Sequence, residues 1–260
     1  FVIPVLFYLY LRNKAIGDIG GLDDSTSVVD NLLQATKDDK GQWYATAFSI
    51  MGKYLVKLFF PHPLVADYSY KQIPIVGFGS ISAIISLLVY LGMGFYAIIR
   101  FKKKSLIVYG ILFFLITMSI YSNIFITIGS SFAERFLYVA SLGFSIVIGY
   151  FLVKFVKKDM KYKGFRKLSE FYKGNLSVLG ILLIILIFYS FKTVNRNKEW
   201  YNNETLYEAD VKKSPNSAHM RYYYGLSVMK DKALEASTKE EKMRYLDAAI
   251  AEFTEAKNIY

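Results

Sequence analysis

An uninterrupted apolar run, residues 176–191, most constrains what this chain can fold into, because it contains no charged side chain. A helix of about 20 mostly apolar residues crosses the hydrocarbon core of a bilayer. Over the whole chain 54% of the residues are hydrophobic, whereas a soluble domain averages about 45–50%. These features exclude an ordinary soluble globular domain, a disordered chain and a collagen-like chain. We therefore predict an all-α membrane protein with several transmembrane helices.

Four segments within residues 76–193 have the length and apolar composition of membrane spans. The predicted spans are residues 76–99, 106–122, 135–156 and 176–191. Residues 1–12 are predicted to be the end of a truncated span, because the chain begins within an apolar run. We therefore expect the chain to be a fragment of a longer protein.

The net charge of +11 is concentrated in two short stretches between apolar runs. Residues 100–104 carry a net charge of +4, and residues 154–173 carry +6. Lysine and arginine remain on the cytoplasmic side of membrane proteins. The loops 100–105 and 157–175 are therefore predicted to be cytoplasmic, and residues 13–75 and 194–260 to be extracytoplasmic. This distribution also argues against nucleic acid as a partner.

Residues 42–60 are predicted to form an amphipathic helix whose position has two interpretations. Five polar side chains recur at spacings of three or four residues, which places them on one helical face: Gln42, Thr46, Ser49, Lys53 and Lys57. We favour a helix that lies in the outer membrane interface, because the preceding residues 13–41 are acidic. The alternative is a span whose polar face points into a helix bundle.

The polar C-terminal region, residues 194–260, is predicted to contain a linker and the start of tetratricopeptide-type helical repeats. Gly225 fits the small position of the first repeat helix. Ala249, Phe253 and Ala256 fit the second helix, after an insertion of about 12 residues. One repeat cannot bury its own apolar face, so further repeats are expected. The alternative is a plain helical hairpin.

Two segments carry candidate chemistry. The loop 61–74 contains three prolines, which stiffen it, together with His62 and Asp67, which could transfer protons or bind a sugar. In the alternative interpretation this is a rigid turn whose aspartate caps a helix. Glu134 and Arg135 form the second segment, at the outer end of a predicted span.

A charge at membrane depth is costly unless it has a partner, and it therefore marks a candidate functional site. Glu134 and Arg135 are adjacent, so they are poorly placed to pair with each other. The guanidinium of Arg135 suits bidentate binding of a phosphate, and its alternative role is to extend towards the membrane surface. The chain has no cysteine and two distant histidines, His62 and His219, so no metal site is predicted.

Four segments occur in an order that resembles a known family: VVDNLLQA (28–35), LFFPHPLVADYSYKQIP (58–74), AERFLYVASLGF (133–144) and a stretch between residues 196 and 218. With the repeat that follows, the chain resembles the transmembrane and tetratricopeptide-repeat-containing protein O-mannosyltransferases. These belong to the C-type membrane glycosyltransferase superfamily. The lysine- and isoleucine-rich, cysteine-free composition resembles that of bacterial members, which implies the bacterial inner membrane.

The resemblance implies transfer of a sugar, usually mannose, from a polyprenyl-phosphate donor to Ser or Thr of an exported protein. It implies that Arg135 and Glu134 bind the donor phosphate and that His62, Asp67, Tyr68 and Tyr70 form a substrate-site loop. The family's acidic base follows its first span, which we expect this fragment to lack, so no catalytic residue is assigned.

The resemblance also implies three partners: membrane lipids, the lipid-linked sugar and an exported protein that docks on the repeats. No cofactor besides the lipid-linked donor is implied. The alternative function is a non-enzymatic membrane-anchored repeat scaffold of an envelope complex. A lipid-linked sugar translocase ranks last, because the predicted spans are too apolar for a polar pathway.

Overall fold

The computed structural model of the chain describes residues 27–125, 127–155 and 168–260, as well as Phe7, Tyr10, Leu11 and Lys14. Side chains between residues 168 and 174 are not part of this description. Most of the predicted truncated span 1–12, most of residues 13–26 and most of the basic loop 157–175 lie outside the described residues.

Every regular element in these ranges is helical, which confirms the all-α class. The α-helices are α1 (Lys40–Phe59), α2 (Ile81–Arg100), α3 (Leu106–Ser119), α4 (Leu137–Phe155), α5 (Leu168–Glu199), α6 (Asn203–Lys213), α7 (Ala218–Ser227) and α8 (Lys239–Ile259). Short 3-10 turns lie at Leu32–Thr36, Phe101–Lys103 and Glu134–Phe136, and a π-helical turn lies at Val228–Ala233. The long helix α5 is kinked at Asn175.

Three helical segments in the described ranges are long and apolar enough to cross a membrane: Ile81–Lys103, Glu134–Phe155 and Asn175–Glu199. Few of their side chains are buried by the rest of the chain. Together they indicate a membrane protein and correspond to three of the four predicted spans.

The fourth predicted span, 106–122, is shorter than expected. Helix α3 has 14 residues, so at 1.5 Å per residue it is about 21 Å long, whereas the hydrocarbon core is about 30 Å thick. The helix ends because the chain turns after Ser119 and reaches Asn123, which has a φ of 55°. By length, three helices rather than four therefore qualify as spans in the described ranges.

Helices α3 and α4 pack at two facing glycines. A Cβ atom on Gly110 would lie 2.7 Å from the carbonyl oxygen of Gly143, and one on Gly143 would lie 2.5 Å from that of Gly110. Small residues allow membrane helices to approach this closely. The crossing therefore fixes how α4 lies against α3.

Helix α1 packs on α2 and on the segment before α2 through part of its polar face. The Thr46 hydroxyl donates to the Val76 carbonyl oxygen at 3.0 Å, and the Ser49 hydroxyl lies 2.8 Å from that of Ser82. Thr46 and Ser49 are buried, whereas Lys53 is exposed. The polar stripe therefore faces protein at these two positions.

Helices α7 and α8 pack against each other at the predicted small residue. A Cβ atom on Gly225 would lie 2.9 Å from the ring of Phe253 and 3.1 Å from the carbonyl oxygen of Ala249. The segment between the two helices contains the π-helical turn and residues 234–238. The helix pair is present, and its assignment as a tetratricopeptide repeat stays a prediction.

Candidate functional site at the loop 61–75

The loop 61–75 lies where α1, α4, α6 and α7 meet. Its Ala66 amide donates to the Asp210 carboxylate of α6 at 2.7 Å, and its Val65 amide donates to the Glu134 carboxylate at 3.3 Å. Its Lys71 amide donates to the Asn216 carbonyl oxygen at 2.8 Å. The loop therefore joins the membrane helices to the C-terminal helices.

The first group of side chains in this site is Lys57, Tyr68 and Glu134. The Tyr68 hydroxyl donates to Glu134 Oε1 at 2.5 Å, and Lys57 Nζ lies 3.5 Å from the same oxygen. The Lys57 ammonium also donates to the Tyr68 hydroxyl at 3.1 Å and to the carbonyl oxygen of Pro63. The three side chains form one hydrogen-bonded cluster, which we call the Lys57 cluster.

Burial governs the protonation of the Lys57 cluster. Burial lowers the pKa of Lys57 from its ordinary value, and the neighbouring Glu134 carboxylate opposes this shift. Burial and the hydrogen bond to Glu134 raise the pKa of Tyr68. Tyr68 therefore remains a neutral hydrogen-bond donor at physiological pH. Burial raises the pKa of Glu134, and the hydrogen bond from Tyr68 and the charge of Lys57 oppose this shift.

Arg135 takes no part in this cluster. It lies in the 3-10 turn at the start of α4 and is exposed, and its guanidinium has no hydrogen bond or ion pair with the described part of the chain. Its guanidinium carbon lies 5.2 Å from the centre of the Phe136 ring. Glu134 and Arg135 thus point to different surroundings, as the sequence predicts for adjacent residues.

His62 lies at the edge of the loop, beside the end of α5. Its Nδ1 atom is 3.2 Å from Lys192 Nζ; His62 is exposed, and Lys192 is partly exposed. One turn earlier in α5, the Tyr189 hydroxyl donates to the Leu58 carbonyl oxygen at 2.9 Å. Helix α5 therefore runs along the C-terminal end of α1.

Asp67 faces a second group of side chains, next to α7. Its Oδ2 atom accepts the Ser69 amide at 2.8 Å and lies 3.8 Å from His219 Nδ1. The other ring nitrogen of His219 lies 3.8 Å from Asp30. Asp67 forms a turn within the loop, and Ser217 is the residue that caps α7.

Tyr70 also belongs to this second group. Its amide donates to the Val29 carbonyl oxygen at 3.1 Å, and its own carbonyl oxygen accepts the Ala218 amide at 2.8 Å. Its ring centre is 6.4 Å from that of Tyr260. The structure therefore divides the predicted loop residues: Tyr68 lies beside Glu134, whereas Asp67 and Tyr70 lie beside α7.

Sequence reasoning missed the partners that hold this site together. Arg196 and Asp210 form an ion pair between α5 and α6, and Asp210 also accepts the loop amide of Ala66. Both charged residues lie within the segment that carries the family resemblance, which is the signal that could have identified them. Lys57 was identified as part of the polar stripe of α1, but its contact with Glu134 was not.

Over the described ranges, no group of three or more acidic or histidine side chains is arranged to hold a metal ion. Apart from Lys192 beside His62 and Asp67 beside His219, the charged groups described for the site are an exposed guanidinium, a largely buried lysine–glutamate pair and an arginine–aspartate pair. Such an arrangement can bind an anion at Arg135 while the surrounding charges are paired within the protein.

No family model matches the sequence, and no solved structure matches it at a significant level. A protein O-mannosyl-transferase of Caenorhabditis elegans is 35% identical over 127 residues, which make up 49% of this chain and 16% of that protein. Protein O-mannosyl-transferase TMTC1 of Mus musculus is 26% identical over 170 residues, 63% of this chain and 17% of that protein. TMTC4 of Mus musculus is 29% identical over 227 residues, 84% of this chain and 28% of that protein.

The chain thus spans less than a third of the length of each of these curated relatives. Its similarity to them is modest, and the match to TMTC4 of Mus musculus covers most of the chain, including its membrane helices. These relatives are named protein O-mannosyl-transferase, and they support the family resemblance seen in the sequence of this chain.

Proposed function

We propose that this chain is part of a membrane-bound protein O-mannosyltransferase. It would transfer mannose from a polyprenyl-phosphate donor to a Ser or Thr hydroxyl of an exported protein. The names of the relatives support a glycosyltransferase role. The three long apolar helices support a site at a membrane surface, where a lipid-linked donor is accessible.

The proposed orientation has the basic loops 100–105 and 157–175 in the cytoplasm. The loop 61–75, the turn at Glu134 and helix α6 are then on the opposite side. Contacts between these three segments support a common side, because the loop binds both Glu134 and Asp210. We propose the inner membrane of a bacterium as the location, on the basis of composition, and tetratricopeptide repeats in residues 194–260 as the docking surface for the acceptor.

The observation that carries the proposal is the exposed guanidinium of Arg135, which is unpaired within the described ranges and lies at the end of a candidate span. In the reaction, the acceptor hydroxyl oxygen forms a bond to C1 of mannose, and the bond from C1 to the phosphate oxygen breaks. The hydroxyl proton leaves to a base, to which we assign no residue of this chain. The released polyprenyl phosphate gains negative charge, which a guanidinium stabilises through paired hydrogen bonds.

The loop residues would shape the surroundings of the donor. His62 lies 3.2 Å from Lys192, which is in the C-terminal part of α5. Tyr68 is directed towards Glu134, so we assign it to support of the site rather than to sugar binding. Asp67 and Tyr70 lie beside α7, on the side where the acceptor would arrive from the C-terminal helices.

Replacement of Arg135 tests the proposal. Membranes that contain the full-length protein are supplied with polyprenyl-phosphate mannose and a Ser/Thr-rich peptide, and mannose transfer to the peptide is measured. We expect Arg135→Ala to lower the transfer rate about a hundredfold or more, as for removal of a group that stabilises transition-state charge. Arg100→Ala is the matched control, because Arg100 is an exposed arginine at an end of α2.

Three outcomes of this assay have different meanings. Loss of transfer in Arg135→Ala but not in Arg100→Ala, with normal amounts of both proteins in the membrane, supports the assignment. Normal transfer by Arg135→Ala overturns the role of this residue. If the unaltered protein transfers no sugar, the enzyme proposal is wrong and the alternative, a membrane-anchored scaffold, takes its place.

A further inference from the structure

The backbone that carries Arg135 is fixed on both sides. The Ala133 amide donates to the Tyr54 hydroxyl of α1 at 3.1 Å. The ring of Phe136 stacks on Tyr121, with 4.5 Å between the ring centres. The guanidinium of Arg135 has no hydrogen-bond or ion-pair partner in the described residues, so an exposed cation extends from an anchored turn.

Glu134 supplies the third anchor of this turn. Its Oε1 atom accepts the hydroxyl of Tyr68 and the amide of Val65, and it pairs with Lys57. The side chains of Lys57 and Glu134 are only 12% and 21% exposed. The carboxylate is therefore directed towards the protein and is not available as a ligand for a phosphate.

Lys57 and Tyr54 contact the turn from the same face of α1, because residues three apart in a helix are neighbours. Lys57 is itself oriented by the Pro63 carbonyl oxygen and the Tyr68 hydroxyl. A lysine ammonium beside the carboxylate also neutralises it. Without that cation, an uncompensated negative charge would stand next to the proposed phosphate site and repel the donor.

We infer that the Lys57–Glu134 pair is a positioning device that holds the turn at residues 134–136 so that Arg135 faces the donor phosphate. This inference rests on the proposed function and adds roles for Glu134 and Lys57 to it. Glu134 acts through Arg135 as a positioning residue, in place of the direct role in phosphate binding that the sequence resemblance implies. Lys57, which the resemblance does not include, becomes part of the same device.

A double-mutant cycle separates positioning from a general structural role. Binding of radiolabelled polyprenyl-phosphate mannose to the purified full-length protein in detergent is measured for the unaltered protein, Glu134→Gln, Arg135→Gln and the double variant. Glutamine has the shape of glutamate but no charge. A positioning role predicts that Glu134→Gln weakens donor binding about tenfold when Arg135 is present and less than about twofold when it is absent.

The same binding measurements can also contradict the inference. If Glu134→Gln weakens binding by the same factor in both backgrounds, the two residues act independently and the inference is wrong. Normal donor binding by Arg135→Gln would instead reject the proposed phosphate site itself, so failure of the inference and failure of the proposed function differ. The thermal midpoint of each variant is recorded, so that binding is compared only between folded proteins.

An exchange of charges provides a second test in case Glu134→Gln does not fold. Lys57→Glu alone places two carboxylates together and is expected to weaken donor binding by more than about tenfold. The double variant Lys57→Glu/Glu134→Lys restores an opposite pair and should recover most of the binding. Lys53→Met is the control, since Lys53 is an exposed lysine on the same helix. Absence of recovery in the exchanged variant, with a normal thermal midpoint, would count against the positioning role.

Discussion

Arg196 and Asp210 form a bidentate ion pair, with 2.6 Å between Nη1 and Oδ1 and 2.9 Å between Nη2 and Oδ2. Asp210 is fully buried, and its Oδ2 atom also accepts the Ala66 amide at 2.7 Å. One carboxylate therefore joins the end of α5, helix α6 and the loop 61–75. This pair is one of the contacts that place the C-terminal helices relative to the membrane helices.

Removal of the charge on Asp210 should destabilise this junction. Asp210→Asn leaves the partly buried Arg196 without its main partner, and loss of one member of a buried pair costs about 3 kcal/mol or more. The measurement is the thermal midpoint of the protein in detergent, with exposed Asp231→Asn as the control. We expect the double variant Arg196→Met/Asp210→Leu to have a higher thermal midpoint than Asp210→Asn, because neither charge of the pair remains. Equal midpoints for Asp210→Asn and the control would show that the pair does not stabilise the junction.

The glycine crossing between α3 and α4 offers a test of helix packing. Gly143→Ala places a Cβ atom 2.5 Å from the Gly110 carbonyl oxygen and 2.8 Å from the Phe114 amide nitrogen, so backbone must move. Overpacking of this kind costs about 1–3 kcal/mol. Gly149→Ala on the same helix is the control, because its added Cβ has no neighbour within 4 Å. A thermal midpoint of Gly143→Ala that matches Gly149→Ala would contradict the close approach.

Sequence patterns could predict the long apolar helices, because length and composition suffice to mark a span. The sequence patterns overestimate the length of α3, because Ile120, Tyr121 and Ser122 resemble a continuation of the apolar segment. The chain turns there because Asn123 bonds to Asn31, which is 92 positions away in the sequence. A contact between such distant residues leaves no periodic signal in either segment.

Contacts between residues that are distant in the sequence also limit the prediction of the site. Arg135 could be identified as an exposed cation at the end of a span from its local sequence alone. The direction of Glu134 could not, because its partners Lys57 and Tyr68 lie on a helix and a loop far away in the sequence. The division of the loop 61–75 between two groups of side chains likewise depends on where α7 packs.

Asn123 provides a test of the turn that ends the α3 region. Its side chain accepts from Asn31 Nδ2 and from the Ile128 amide, both at 3.0 Å, and donates to the Ser130 carbonyl oxygen at 3.2 Å. We expect Asn123→Ala to lower the free energy of unfolding by about 2–4 kcal/mol, from unsatisfied buried groups and from the positive φ. Asn123→Gly should be about 1 kcal/mol more stable than Asn123→Ala, because glycine tolerates a φ of 55°. A glycine variant no more stable than the alanine variant in denaturant titration would contradict the backbone contribution.

The proposed orientation of the membrane helices can be tested with single cysteines, since the chain has none of its own. Lys103 and Ser237 are both exposed, one in the basic turn after α2 and the other before α8. In intact cells a membrane-impermeant maleimide should label Ser237→Cys but not Lys103→Cys, which should react after permeabilisation. The reverse pattern would place Arg135 on the cytoplasmic side and reject transfer to exported proteins.

The two interpretations of α1 make opposite predictions for the residues that precede it. Val29, before the helix, accepts a hydrogen bond from the Tyr70 amide, after the helix, at 3.1 Å. Segments on either side of α1 therefore touch each other, which favours a helix that lies in the interface over one that crosses the membrane. Asp38 is exposed just before α1, so Asp38→Cys should react with the impermeant maleimide in intact cells, on the same side as Ser237→Cys. Labelling of Asp38→Cys only after permeabilisation would mean that α1 spans the bilayer, with Lys53 and Lys57 at membrane depth and the acidic segment in the cytoplasm.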